Sequence, residues 1–178
     1  MNNQPFFFRC ISESCQQEFE ITQKIYQCPA CSDLLDIAYN FPKIEATRIR
    51  ETFRRRRVSS NPLDLSGVWR YREFLPFAQK DLSNVITLGE GNSPILETPN
   101  SANYVGLKRL RVKHLGWNPS GSFKDHGMTV GLSQAKNLGS RVVACASTGN
   151  TSSSMAAYCA RAGIRAVVFI PEGQIAYG

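Results

Sequence analysis

No apolar run in the 178 residues approaches the ~18 that a membrane-spanning helix needs. The start, Met1-Asn2-Asn3-Gln4-Pro5-Phe6-Phe7-Phe8-Arg9, lacks the charged head and long apolar core of a secretory signal. Internal repeats and low-complexity tracts are also missing. The six cysteines make no obvious disulfide framework, which suits a reducing compartment. Acidic residues are the scarcer charge, 14 Asp and Glu against 21 Lys and Arg, for a net charge of +7. A basic surface draws anions of every kind, phosphorylated metabolites included, so it does not single out nucleic acid. These absences lead us to expect a cytoplasmic protein with no membrane partner.

What is present divides the chain into three. Residues 1–40 alternate apolar and turn residues at the scale of short hairpins and contain four of the cysteines. Residues 41–80 form a connecting region. Within it 43–57 reads as a basic helix with Ile44, Ile49 and Phe53 on its apolar side, ended by Arg54-Arg55-Arg56-Arg57. Such a run is ordinarily a solvated helix end whose cations complement the dipole, so a nucleic-acid partner is not expected. Asn61-Pro62 and Ser66-Gly67 are breakers.

Residues 81–178 carry a different pattern. Leu110 to Leu115 alternates like a strand, Asn118-Pro119-Ser120-Gly121 is a turn, and Ser122 to Leu138 reads as a helix stopped by Gly139. Val142 to Ala146 and Ala166 to Ile170 are continuous apolar strands of the kind buried on both faces. Between them a helix runs from about Thr151 to Arg161. Strand, helix, strand, helix, strand with short links predicts parallel βαβ units and an open α/β sheet. Cys145 and Cys159 lie in these apolar segments and read as small buried side chains.

In such sheets ligands bind beyond the carboxyl ends of the strands, and two unusual stretches fall there. Asn118-Pro119-Ser120-Gly121-Ser122-Phe123-Lys124-Asp125 puts a lysine in the first turn of a helix, where the dipole disfavours a cation. A lysine in a dry site there loses basicity, which condensation with an aldehyde requires. As a bare position, a surface lysine reaching water is the commoner case. Ser147-Thr148-Gly149-Asn150-Thr151-Ser152-Ser153-Ser154 clusters hydroxyls and an amide on a strand-to-helix turn above unpaired N–H groups, a setting for a carboxylate or phosphate. An N-cap would need only one of these residues, and the Gly-Lys-Ser/Thr ending of a nucleotide loop is lacking. At the other end of the chain, Cys10 and Cys15 precede Cys28-Pro29-Ala30-Cys31, a tight turn that aims two thiolates at one metal. Four thiolates would close a structural zinc site and staple a block with little core; the alternative is four reduced cysteines without metal.

These phrases resemble a known family. Pro119-Ser120-Gly121-Ser122-Phe123-Lys124-Asp125 is similar to the cofactor-lysine signature of the β-family (fold type II) enzymes that use pyridoxal phosphate (PLP), and Ser147 to Thr151 resembles their substrate-carboxylate loop. Lys124-Asp125-His126-Gly127-Met128-Thr129, Leu88-Gly89-Glu90-Gly91-Asn92-Ser93-Pro94 and Ile170-Pro171-Glu172-Gly173 resemble threonine synthases in particular, many of which begin with a zinc ribbon. The resemblance implies that Lys124 holds PLP and moves protons, that Asn150 bonds the cofactor's phenolic oxygen, and that Phe123 flanks it. Ser147, Thr148, Asn150 and Thr151 would bind the substrate, O-phospho-L-homoserine, which with water gives L-threonine and phosphate. Cys10, Cys15, Cys28 and Cys31 would be the zinc ligands.

The chain departs from the family pattern in two places. His126 stands where many relatives carry Arg or Leu. The family's Gly/Asn-rich phosphate loop and the hydroxyl residue that meets the pyridine nitrogen have no counterpart before Tyr177-Gly178. The resemblance is therefore to the amino-terminal part of such an enzyme, and the expectation is that the isolated chain turns over little. A full-length form leaves room for a homodimer. Three rival readings are a cysteate synthase, a zinc-ribbon protein binding nucleic acid through Arg54 to Arg57, and a non-catalytic remnant that pairs with a full-length subunit.

Overall fold

The computed structural model describes residues 5–41, 43–76 and 82–173. The boundary expected at residues 80 and 81 and the end at Tyr177-Gly178 lie outside these described residues. Two compact units divide the chain, Met1–Val58 with Tyr71–Ser83, and Ser59–Arg70 with Asn84–Gly178. Among the described residues, no helix is long and apolar enough to cross a membrane.

The first unit is built on three antiparallel strands in the order β2-β1-β3: β1 (Phe6–Cys10), β2 (Glu18–Phe19) and β3 (Leu35–Tyr39). The opening phenylalanines supply its core, with Phe6 and Phe7 buried. Edge-to-face contacts extend the Phe6 cluster to Tyr39 and Phe41, then from Phe41 to Phe74 and from Phe74 to Phe53. Phe53 lies on helix α1 (Ala46–Arg57), whose half-buried positions Ile49, Phe53 and Arg56 share one face. That agrees with the apolar side expected for residues 43–57, although Ile44 lies before the helix and is exposed. The arginine run is not uniformly solvated either. Arg56 makes a forked pair with both Glu73 oxygens, and this guanidinium outweighs the effect of burial to hold the Glu73 carboxyl below its usual pKa.

The second unit starts with a strap containing the short helix α2 (Pro62–Leu65), capped by the Asn61 side chain. It continues through an antiparallel pair, β4 (Ile95–Glu97) and β5 (Arg111–Lys113), separated by helix α3 (Pro99–Tyr104). Then come helix α4 (Lys124–Asn137), strand β6 (Val142–Ala146), helix α5 (Asn150–Ala162) and strand β7 (Arg165–Phe169). Strands β6 and β7 are parallel, with α5 as their crossover. Helix α5 ends on Gly163, whose φ of 70° is the left-handed cap conformation that glycine adopts without a Cβ penalty. The core gathers Ile86, Leu132, Met155, Tyr158 and Cys159, with Val143, Cys145 and Val168 packed against it from the sheet. Cys159 is buried as expected, and Cys145 is half-buried.

Two sequence expectations need correction. The strand expected over 110–115 does not join the parallel sheet; β5 pairs antiparallel with β4 in a sheet of its own. Its residues Arg111-Val112-Lys113 are all exposed and set Arg111 beside Glu97, whereas a central parallel strand has to be apolar on both faces. In addition, β6 and β7 are not buried on both faces. Exposure alternates along β6, and Val142 and Phe169 remain open at 49% and 61%. One open parallel sheet is thus met, among the described residues, by the β6–β7 pair alone.

A buried polar lattice locks the strap and the 86–93 loop to α4 and α5. Glu90 is fully buried and accepts hydrogen bonds from Ser66 Oγ, from Thr87 Oγ1 at 3.0 and 3.1 Å, from Leu88 N at 3.1 Å, and from Tyr158 Oη on α5 at 2.6 Å. Trp69 Nε1 donates to Thr129 Oγ1 on α4, and that hydroxyl donates to Ile86 O. Strap and loop cross where both are glycine. A Cβ on Gly67 would lie 2.7 Å from Gly91 Cα and closer still to Asn92 N.

Two stability predictions follow from this lattice. Gly67→Ala must push the strap off the loop and is expected to cost about 1–3 kcal/mol, read as a lower thermal unfolding midpoint. Tyr158→Phe removes one donor from a buried carboxylate and should cost about 1–3 kcal/mol. Burial, reinforced by Glu90, raises the Tyr158 pKa above its ordinary 10.0. The neutral phenol's contribution is therefore whole below pH 10 and is lost as pH climbs toward the raised value. Unfolding of the unsubstituted protein should show this alkaline loss more steeply than Tyr158→Phe, and equal slopes would contradict it.

Candidate active site

The turn before α4 is built from its own side chains. Asn118, itself buried, donates from Nδ2 to Leu115 O at 2.7 Å and accepts Gly91 N on Oδ1 at 2.8 Å, which joins the turn to the 86–93 loop. Gly121 takes a φ of 80° and donates its N–H to Asn118 O. Ser122 Oγ accepts the Lys124 N–H at 3.3 Å. Lys124 is then the first residue of α4, as the sequence predicts for a lysine in the opening turn.

Lys124 is half-buried as a residue, and its amine sits 4.5 Å from the centre of the Phe123 ring, within cation–π range. It has no ion pair among the described residues. The adjacent carboxylate, Asp125, is turned away from solvent and fully buried. Its Oδ2 accepts Ser120 N at 2.8 Å, while Oδ1 accepts both the Ser120 hydroxyl and, at 2.5 Å, the Ser154 hydroxyl of α5. That last bond ties the first turn of α4 to the N-terminal half of α5, so the lysine stretch lies toward the end of α5 that carries the hydroxyl-rich turn.

On the α5 side, Gly149 holds the N-cap position and no side chain caps the helix. Ser147 Oγ accepts the Gly149 N–H at 3.3 Å, and Ser152 Oγ donates back to Gly149 O at 2.7 Å. The first helical bond at this end runs from Ser153 N to Gly149 O. By helix geometry the N–H groups of Asn150, Thr151 and Ser152 are left for an external acceptor. Ser147, Thr148 and Thr151 are half-buried there and Asn150 is exposed. Two buried side-chain atoms of the neighbouring motif segments, Ser93 Oγ and His126 Nε2, have no hydrogen-bond partner.

The four N-terminal cysteines also converge. Cys10 ends β1, Cys15 follows in the β1–β2 loop, and Cys28 and Cys31 lie between β2 and β3. Their sulfurs all lie within 4.8 Å of one another, with Cys10 to Cys31 at 3.4 Å and Cys15 to Cys28 at 3.7 Å, and all four are free thiols. Thiolates around one tetrahedral zinc, with Zn–S bonds of about 2.3 Å, would stand roughly 3.8 Å apart. Gln16 and Ser32, each directly after the second cysteine of a pair, have φ of 51° and 63°, so both loops turn back in the same way despite unequal spacing. Burial disfavours the Cys28 thiolate, but N–H groups of Ala30 and Cys31 outweigh it and bring the pKa down to about 7.

The structure therefore links the turn that carries Phe123 and Lys124 to helix α5 through Asp125 and Ser154, and it gathers all four cysteines in another place. Sequence reasoning missed Tyr158, took Ser66 only as a breaker and Ser154 only as the end of the hydroxyl-rich stretch, and gave Asp125 and Glu90 no part beyond their motifs. Serines and a tyrosine on a helix or strap are too common to stand out without their partners.

An amine without a carboxylate partner, set over an aromatic ring on a turn tied to a helix with no side-chain cap, fits an aldehyde cofactor that reacts with carboxylate substrates. Comparison with known proteins agrees. Residues 86–177 match the family model described as pyridoxal-phosphate dependent enzyme. A threonine synthase of Methanocaldococcus jannaschii is 45% identical over 170 residues, covering 96% of this chain and 39% of that protein. Another, from Methanosarcina acetivorans, is 39% identical over 173 residues, covering 97% of this chain and 39% of that protein. A third, from Halalkalibacterium halodurans, is 52% identical over 108 residues, 61% of this chain and 30% of that protein. The chain thus spans about two fifths of the length of the first two of these relatives. With the lysine turn, the α5 turn and the matched span in agreement, the chain belongs to the family of pyridoxal-phosphate dependent enzymes.

Proposed function

We propose that this chain carries the lysine side of a threonine synthase active site, serving the conversion of O-phospho-L-homoserine and water to L-threonine and phosphate. The observation that carries the reading is the Asp125–Ser154 bond, which joins the turn of an unpaired lysine to an uncapped helix start. Similarity to threonine synthases over nearly the whole chain supports it. When bound, PLP supplies an electron sink for charge developing at the substrate carbons. Lys124 would hold the cofactor through its amine and would carry protons at the substrate carbons. Phe123 would flank the cofactor, and Asn150 would hydrogen-bond its phenolic oxygen. Ser147, Thr148 and Thr151, helped by the free N–H groups of α5, hold the substrate carboxylate. This reading also assigns β6 and β7, with α5 as their crossover, to the open parallel sheet of fold type II and makes the protein cytoplasmic.

The test is a chimera in which this chain replaces the matching residues of the Methanocaldococcus jannaschii relative. We expect threonine and phosphate to form from O-phospho-L-homoserine, and Lys124→Ala to lower the rate by at least about a thousandfold. A folded chimera that binds PLP but makes no threonine contradicts the proposal.

We further propose that Cys10, Cys15, Cys28 and Cys31 hold a structural zinc ion. The mutual distances of the sulfurs and the matching turns after Cys15 and Cys31 support this reading, and a closed set of four thiolates leaves no position for substrate. Metal analysis of freshly purified protein should find one zinc per chain, and Cys28→Ser should lose most of it and lower the unfolding midpoint of the first unit. A content well below one per chain would contradict the assignment.

A further inference from the structure

Asp125 does not behave as an ordinary acidic residue in a helix's first turn. Such a residue usually faces solvent or its own helix's free amides and favours the helix through the dipole. Here the carboxylate is fully buried, and its hydrogen bonds run to the backbone and hydroxyl of Ser120 in the preceding turn and to Ser154 on α5. These three bonds connect the segment before the lysine, the helix that begins with it, and the helix whose free N–H groups lie at the same end.

Ser154 is itself fully buried, five residues past Gly149 and on the same helix as the 147–151 turn. Any rotation or slide of α5 relative to α4 has to break a bond between a buried carboxylate and a buried hydroxyl. Because Asp125 is engaged elsewhere, it also leaves the neighbouring amine of Lys124 without a carboxylate partner.

We propose that Asp125, acting through Ser154, is a positioning residue: it sets the register between the Lys124 amine and the anion-binding start of α5, so that both meet the same ligand. This inference rests on the reading of Lys124 as the PLP lysine.

The experiment uses the 178-residue chain and PLP as the probe. The chain is incubated with graded PLP, reduced with borohydride and analysed by peptide mass spectrometry. Labelling of Lys124 is compared with that of the exposed Lys108 in the same sample. All samples are held well below their unfolding midpoints. In the unsubstituted chain, Lys124 should saturate at a lower PLP concentration than Lys108. Ser154→Ala, which deletes one hydroxyl and keeps the charge, and Asp125→Asn, which keeps the shape, should each raise the half-saturating concentration at Lys124 about tenfold while leaving Lys108 unchanged. Leu132→Val, a core change on α4, lowers the unfolding midpoint without moving that concentration. If Lys124 saturates equally in Ser154→Ala, Asp125→Asn and the unsubstituted chain, the positioning role is overturned while the PLP reading stands. Parallel loss in Leu132→Val would reduce the effect to stability and also overturn it. No preference for Lys124 in the unsubstituted chain would defeat the PLP reading and this inference with it.

Discussion

A carboxylate removed from water has to be surrounded by donors, or its ionised form becomes prohibitively expensive. Asp125 and Glu90 of the second unit are such groups, both fully buried and satisfied by hydroxyl and backbone donors. Asp125 takes its donors from the preceding turn and from α5, while Glu90 takes its donors from its own loop, from the strap and from α5. Satisfying these two acids therefore also joins the segments around the site. Asp125 brings the lysine turn to α5, and Glu90 ties the strap and the 86–93 loop to the middle of the same helix through Tyr158. Partly satisfied networks of this kind are worse than an apolar core, so they favour a single arrangement.

Much of the fold was legible because regular elements carry period and punctuation. Helix α4 was expected from Ser122 to Leu138 and spans Lys124–Asn137, while α5 was expected from about Thr151 and begins at Asn150. Gly139 and Gly163 stop these helices where their positive φ is useful. The cysteine spacing likewise predicted a four-sulfur cluster, and the four sulfurs do converge. Strand pairing was less legible. Alternation in residues 110–115 identified a strand but not its partner, which is decided by the charge of Glu97 opposite Arg111 and by the absence of a second apolar face.

The part of the site that sequence reading could not reach is its support. The buried face of α4 is Asp125, Thr129, Leu132 and Ser133, and that of α5 is Ser154, Met155, Tyr158 and Cys159. Half of these positions are polar, so a search for apolar periodicity passes over them. Their burial becomes intelligible only once Trp69, Ile86 and Glu90 are brought against them by residues far away in sequence. The candidate site positions were easier, since Lys124 and Ser147 to Thr151 break local rules for helix starts. A lysine at the positive end of a dipole and a hydroxyl-rich turn without a cap both ask for a ligand.

The most direct measurement of the central claim is a crystal structure of this chain grown with pyridoxal phosphate. The account predicts continuous electron density from Lys124 Nζ to the aldehyde carbon of the cofactor, with the first turn of α5 beside the bound ring and the Asp125–Ser154 bond intact. Density for the cofactor on another lysine, or away from α5 with Lys124 unmodified, would contradict it.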